Sequence, residues 1–342
     1  NKLNMNENRY IEISEAKKRA ISMLQNNCSA EALQIISDIC KRSPQDAEAL
    51  LIQAVARSQT GDLERAEQHC RQVTHIAPGN PAGFVTLGDI LQARSKLRDA
   101  MTAYKQALHI QPDIPHALNN LGALLRMTGK PDEAEQHFRH ALALSPNNPL
   151  LLTNLGLVEK DRNNLTGAAE LHKQALLCKP DYADGHLNLA NTLQLQGLIK
   201  EAKAHYRKAI EYNPHAVLAF HGLGQLMASQ GETEEALSLL ERARALQPGF
   251  ADISASIAEI HEKQGNSEKA LEVITPYIAS QETTPGVSLC FAKLAPDLNR
   301  QADAIKLLLQ QLEKPALPST IKKSIFFALG DLFDSTGEYN QA

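Results

Sequence analysis

An all-α solenoid of stacked helix–turn–helix units is the fold this sequence predicts, on three observations. Seven prolines, Pro44, Pro78, Pro112, Pro146, Pro180, Pro214 and Pro248, follow one another at intervals of 34 residues. An alanine keeps the same interval through Ala32, Ala66, Ala100, Ala134, Ala168, Ala202, Ala236 and Ala270. A small residue keeps it again at Ala20, Ala54, Gly88, Gly122, Gly156, Ala190, Gly224 and Ala258. Such a period marks a unit that cannot bury its own apolar face and must stack on its neighbours.

With the prolines at position 32, units begin at residues 13, 47, 81, 115, 149, 183, 217 and 251. Positions 4, 7, 8 and 11 share one face of a first helix, and positions 20, 24 and 27 one face of a second. Small residues at 8 and 20 let the two helices approach closely. Leucines at position 7 (Leu87, Leu121, Leu155, Leu189, Leu223) and bulky residues at position 24 (Tyr104, Phe138, Tyr206, Leu240) fill the space around that contact. Position 15 carries Gly61, Gly129, Asn163, Gly197, Gly231 or Gly265, which closes the first helix with a left-handed residue. The proline at position 32 stops the second helix.

This pattern resembles the tetratricopeptide repeat family: Leu at 7, a small residue at 8, Ala at 20, an aromatic at 24 and Pro at 32. The clearest unit is PHALNNLGALLRMTGKPDEAEQHFRHALALSPNN. The resemblance covers residues 13–342 and implies a right-handed superhelical solenoid of such units that binds proteins.

Residues 1–12 read as a flexible lead-in, 13–284 as eight regular units, and 285–342 as a degenerate unit, a four-residue insertion and a partial tenth unit. Glu282 stands where a proline is due, and Pro296 falls inside the first helix expected from 285. Gly330 follows Ala292 by 38 residues, which places the insertion around EKPALPSTIKK. The last unit starts near 323, with Phe326 and Phe333 at positions 4 and 11 awaiting a second helix begun by GEYNQA. The expectation is that polypeptide beyond Ala342, another chain, or self-association covers that end.

Composition narrows the function. The net charge of −4, the 4% aromatic content and the lack of Trp argue against a nucleic-acid partner, which asks for basic excess and stacking rings. No apolar run is long enough for a membrane helix. Five cysteines, Cys28, Cys40, Cys70, Cys178 and Cys290, form no C-x-x-C pair and are odd in number, which suits reduced thiols in a cytoplasmic protein. No phosphate-binding loop, dinucleotide loop, zinc-protease helix or nucleophile elbow occurs: GALLRMTGK spaces its glycines wrongly, GLGQLM lacks a third glycine, and HEKQG lacks a second His. His69, His137 and His205 share position 23 but lie 68 residues apart, and His137 with His140 has no third ligand in sight, so neither metal nor cofactor is expected.

The candidate binding surface is the concave side, lined by positions 2, 5, 6, 9, 12 and 13 of the first helices. Position 6 is Asn120, Asn154 and Asn188 in three successive units. Around these sit Asn119, Asn191, Gln194, His221 and Gln225, with Arg126 and Lys160 as the cations of the central units. An Asn amide offers donors and an acceptor together, so a ladder of them can hold the main chain of an extended peptide whatever its side chains. Two helix spacings, about 16–20 Å, are expected between adjacent first helices, a span of about 5–6 extended residues. The asparagines are similar to the ladder in the repeat region of O-linked N-acetylglucosamine transferases, which implies a grip on extended protein, though here it gives way to Thr86 before and Gly222 after. The sequence reading is therefore a non-catalytic scaffold for an extended peptide or protein segment. Its alternative is the substrate-recognition region of a larger sulfotransferase or glycosyltransferase with a catalytic domain beyond Ala342, since SIFFALGDLFDSTGEYNQA is similar to repeats preceding bacterial sulfotransferase domains.

Overall fold

The computed structural model describes residues 2–278, 283–314 and 317–336. Among them are nineteen α-helices and no strand. The first helices of the pairs are α1 (Lys2–Gln25), α3 (Ala47–Gln59), α5 (Pro81–Ala93), α7 (Pro115–Met127), α9 (Pro149–Asp161), α11 (Ala183–Leu195), α13 (Val217–Ser229), α15 (Ala251–Lys263) and α17 (Pro285–Leu294). The second helices are α2 (Ser29–Arg42), α4 (Leu63–Ile76), α6 (Leu97–Ile110), α8 (Pro131–Leu144), α10 (Leu165–Cys178), α12 (Ile199–Tyr212), α14 (Thr233–Leu246), α16 (Ser267–Ile278) and α18 (Gln301–Leu312), and α19 (Ser319–Thr336) follows alone. The chain divides into two compact units, Asn1–Leu171 and His172–Ala342.

Local chemistry sets the helix ends. Pro81, Pro115, Pro149 and Pro285 occupy first-turn positions, where a missing N–H costs nothing. Asp46, Asn80, Asn148 and Thr284 cap their helices by accepting from backbone N–H groups. Position 15 is left-handed in every pair: Asn27, Gly61, Ser95, Gly129, Asn163, Gly197, Gly231, Gly265 and Asn299 all have positive φ. Ser95, with φ of 59°, shows that the turn geometry is imposed even where the residue does not favour it.

The helix pairs pack as their small residues dictate. All eight position-20 alanines are fully buried. A methyl group on Gly88 would stand 2.6 Å from Cε1 of Tyr104, one on Gly122 2.8 Å from Cε1 of Phe138, and one on Gly224 2.7 Å from Cγ of Leu240. Position 8 is thus small because the position-24 side chain of the same pair lies against it. Glu67 on α4 is buried, yet it meets Arg71, Arg94 and Lys96 at 2.8, 2.5 and 3.0 Å. Burial alone would raise its pKa, and Arg71 and Lys96 hold it below the usual carboxylate value instead.

Several expectations change. The lead-in is helical from Lys2, continuous with α1, because nothing in KLNMNENRYIEI breaks a helix as the position-32 proline does elsewhere. Pro296 lies beyond the end of α17, which stops at Leu294, and the turn still closes on Asn299. The last helix begins at Ser319, four residues earlier than the expected start. Phe333 is buried with Ile325, Leu329 and Leu332 in the core that α17 and α18 build, so it is not left half-covered. Phe326 is 60% exposed. Glu282 and GEYNQA lie outside the described residues.

Candidate functional site

In the first compact unit the groove face centres on a chain of side-chain hydrogen bonds across α5, α7 and α9. The ring of Tyr104 is buried, and its hydroxyl donates to Oδ1 of Asp89 at 2.7 Å. Asn120 donates from Nδ2 to the same Asp89 oxygen at 3.1 Å and approaches the Tyr104 hydroxyl at 3.2 Å. Its Oδ1 accepts from Asn119 Nδ2 at 3.0 Å, and Asn119 Oδ1 in turn accepts from Asn154 Nδ2 at 2.8 Å. His116 Nε2 lies 2.9 Å from Asp89 Oδ1, and this bond raises the pKa of the imidazole.

Asn119, Asn120 and Asn154 are therefore brought together, but they are half-buried and tied to their neighbours rather than free in solvent. A direct bond from α7 to α9 also shows that adjacent first helices touch. The separation is one helix spacing, about 8–10 Å, and not the two spacings expected. An extended chain covers it in about three residues. Arg126 donates to Asp161 at 2.7 Å. Lys160 is half-buried and forms no ion pair among the described residues, and burial lowers its pKa against the opposing pull of Asp161.

Nearer the N-terminus of this unit the groove turns apolar. Ile21, Leu24, Leu51, Ile52 and Val55, with Gln25, Gln59 and Thr86, line a cleft of about 360 Å³ between α1, α3 and α5. The signal was present in the sequence, since position 6 is Ile52 and position 9 is Ile21 and Val55 in the first two pairs.

In the second compact unit Asn188 turns back on its own helix and donates to the Asp184 carbonyl at 2.8 Å. Asn191 and Gln194 converge on the hydroxyl of Tyr206, at 2.6 and 2.7 Å. His221 Nε2 and Gln225 Nε2 meet Ser256 Oγ at 2.9 and 3.0 Å, while the serine hydroxyl donates to the Asp252 carbonyl at 3.1 Å. With its proton so used, Ser256 accepts from both, which fixes His221 as the Nε2–H tautomer. Burial lowers the pKa of His221 and keeps it neutral. Asn191, Gln194, His221 and Gln225 line one cleft of about 330 Å³ together with Leu195, Tyr206, Leu218 and Gly222. His221 and Gln225 also line the next cleft, with Asp252, Ser256 and Glu259.

Sequence reasoning missed Asp89, Tyr104 and Tyr206 as groove residues. Tyr104 and Tyr206 occupy position 24, which was assigned to packing alone. Their hydroxyls reach positions 9 and 12 of their own pair, residues 15 and 12 earlier in the chain. A phenol at position 24, where Phe138 or Leu240 stands elsewhere, was the available signal.

Among the described residues no group of three His, Cys, Asp or Glu side chains is placed to hold a metal ion. His140 instead lies 2.8 Å from Asp113. Also among the described residues, no helix is long and apolar enough to cross a membrane.

Models of the family described as tetratricopeptide repeat match residues 18–81 and 85–149, 183–216, and 227–288. No curated protein matches the chain. Solved structures are similar in fold. The crystal structure of the APC/C hetero-tetramer Cut9–Hcn1 aligns at 16% identity with a TM-score of 0.62, over 70% of this chain and 48% of that one, about half its length. PilF of Pseudomonas aeruginosa aligns at 20% identity with a TM-score of 0.54, over 65% of this chain and 100% of that one. YrrB, a TPR protein with an unusual peptide-binding site, aligns at 20% identity over 57% of this chain and 97% of that one, with a TM-score of 0.40, too loose a likeness to carry an argument.

Proposed function

Because the chain belongs to the tetratricopeptide repeat family, we propose that it is a non-catalytic scaffold holding an extended segment of a protein partner along the groove face of its first helices. The observation that carries this reading is that each compact unit carries uncharged amides on its first helices with one end fixed by the protein. Asn154, Asn188 and Gln225 each spend their amino group on a neighbour and keep a carbonyl without a hydrogen bond among the described residues. Fixed acceptors of this kind suit the N–H groups of an extended main chain, and they read no particular side chain. The saturated Asn120 serves as a pillar for Asn119 and Asn154 and is not itself a contact. A cytoplasmic setting suits the five free thiols.

The test is selection of random twelve-residue peptides against the full chain, followed by affinity measurement on an Asn188→Ala, Gln225→Ala variant. Two lost amide hydrogen bonds should weaken the selected peptides by about five- to a hundredfold. Failure to enrich any peptide, or peptides that bind the variant unchanged, would remove the groove as the binding surface.

A further inference from the structure

The phenol of Tyr206 is held in one place. Its ring is buried, and it packs so closely on Gly222 that a methyl group there would lie 2.7 Å from Cε1. Two amide groups, from Asn191 and Gln194 on one face of α11, both close on its hydroxyl. Burial pushes the phenol up to about 12, so it keeps its single proton at any physiological pH.

One proton serves one carbonyl oxygen. The second amide must then turn its NH₂ toward the hydroxyl and donate to its lone pair. Whichever of the two turns, the outward ends of the pair are one carbonyl and one NH₂. Neither outward end has a hydrogen-bond partner within the protein among the described residues, and both line the cleft. Leu195 and Leu218, both exposed, stand at the rim of the same cleft.

We propose that Tyr206 is a positioning residue that fixes Asn191 and Gln194 as a paired donor and acceptor for the N–H and C=O of one residue of an extended chain, whose apolar side chain sits between Leu195 and Leu218. In an extended strand a single residue presents its N–H and C=O on the same edge, which is how antiparallel strands exchange bonds in pairs. A donor and an acceptor side by side on α11 match that edge, whereas two acceptors or two donors would not. Specificity here is for backbone plus one aliphatic group, and the cleft of about 330 Å³ has room for a leucine-sized side chain. This rests on the groove reading above and assigns it one residue-sized station.

The probe is N-acetyl-leucine N-methylamide, which carries one leucine with both its N–H and its C=O. It is titrated into the full chain labelled with ¹⁵N, and the side-chain NH₂ signals are followed. The expected result is saturable movement of the Asn191 and Gln194 signals. The analogue methylated on the leucine nitrogen should bind about fivefold more weakly, the loss of one hydrogen bond. Tyr206→Phe keeps the ring and its packing on Gly222 but frees both amides, so it should erase that fivefold discrimination. Gln194→Leu gives the same readout if the phenylalanine variant does not fold. Unchanged discrimination in the variant overturns the proposal. Movement confined to Asn119 and Asn154 overturns it while leaving the groove reading in place, and no movement at any groove amide overturns both.

Discussion

Asn154 donates to Asn119 at 2.8 Å, from one first helix to the next, across 35 residues of sequence. The bond makes the groove face part of the packing between neighbouring pairs. The proposed binding surface and the structural seam share these side chains.

Removing that bond should therefore loosen the array locally. Asn154→Ala is expected to lower the opening free energy of α7 and α9 by about 1 kcal/mol. Their amide protons would exchange about fivefold faster, with α13 unchanged. Equal exchange in variant and parent would show that the bond adds nothing to the seam.

Acid should weaken the second compact unit through a histidine pair. His186 donates from Nε2 to the Pro180 carbonyl at 2.9 Å, so its Nδ1 must accept from Nδ1 of His205, also at 2.9 Å. Burial, then the neighbouring His186, lowers His205 from 6.5 to about 4, and burial lowers His186 too. A depressed histidine contributes stability that is fully present above its unfolded value and is lost as pH falls through the folded one. Melting temperature should thus drop between pH 6.5 and about 4. His205→Gln, which keeps a donor for His186 but does not titrate, should flatten that slope; an equally steep slope in the variant would place the acid sensitivity elsewhere.

Two substitutions at repeat positions should move stability in opposite directions. Gly88→Ala drives a methyl group into the Tyr104 ring and should cost about 1–3 kcal/mol. Ser95→Gly relieves a left-handed serine and should add about 0.5–1 kcal/mol. Urea titration of both variants checks the pair, and stabilisation by Gly88→Ala would contradict the packing described.

Thiol reactivity should separate the cysteines into two groups. Cys28 and Cys178 are exposed. Burial pushes Cys40 up to about 11 and Cys70 and Cys290 up to about 12. Thiolate is the reactive form, so iodoacetamide at pH 8 should label Cys28 and Cys178 quickly and the other three only on unfolding. Mass spectrometry of the labelled peptides reads this directly.

The sequence by itself determined the repeat. The 34-residue interval located the left-handed turn at position 15 and the close contact of positions 8 and 20, because both are local or lie within one helix pair. Their steric demands leave a visible mark: a glycine, an alanine, a proline. It also assigned Asn119, Asn120, Asn154, Asn191, Gln194, His221 and Gln225 to one face of the first helices, since helical periodicity sets which face of its own helix a residue occupies. Tertiary structure alone decided what those side chains do there. Whether an amide is spent on a neighbour or left open depends on groups contributed by other helices: Asp89 and Tyr104 for Asn120, Tyr206 for Asn191 and Gln194, Ser256 for Gln225. The spacing of the first helices was likewise undecided by the period, which counts residues along the chain. Distance between helices follows from the side chains that interlock across the seam, and there Asn119 and Asn154 meet directly.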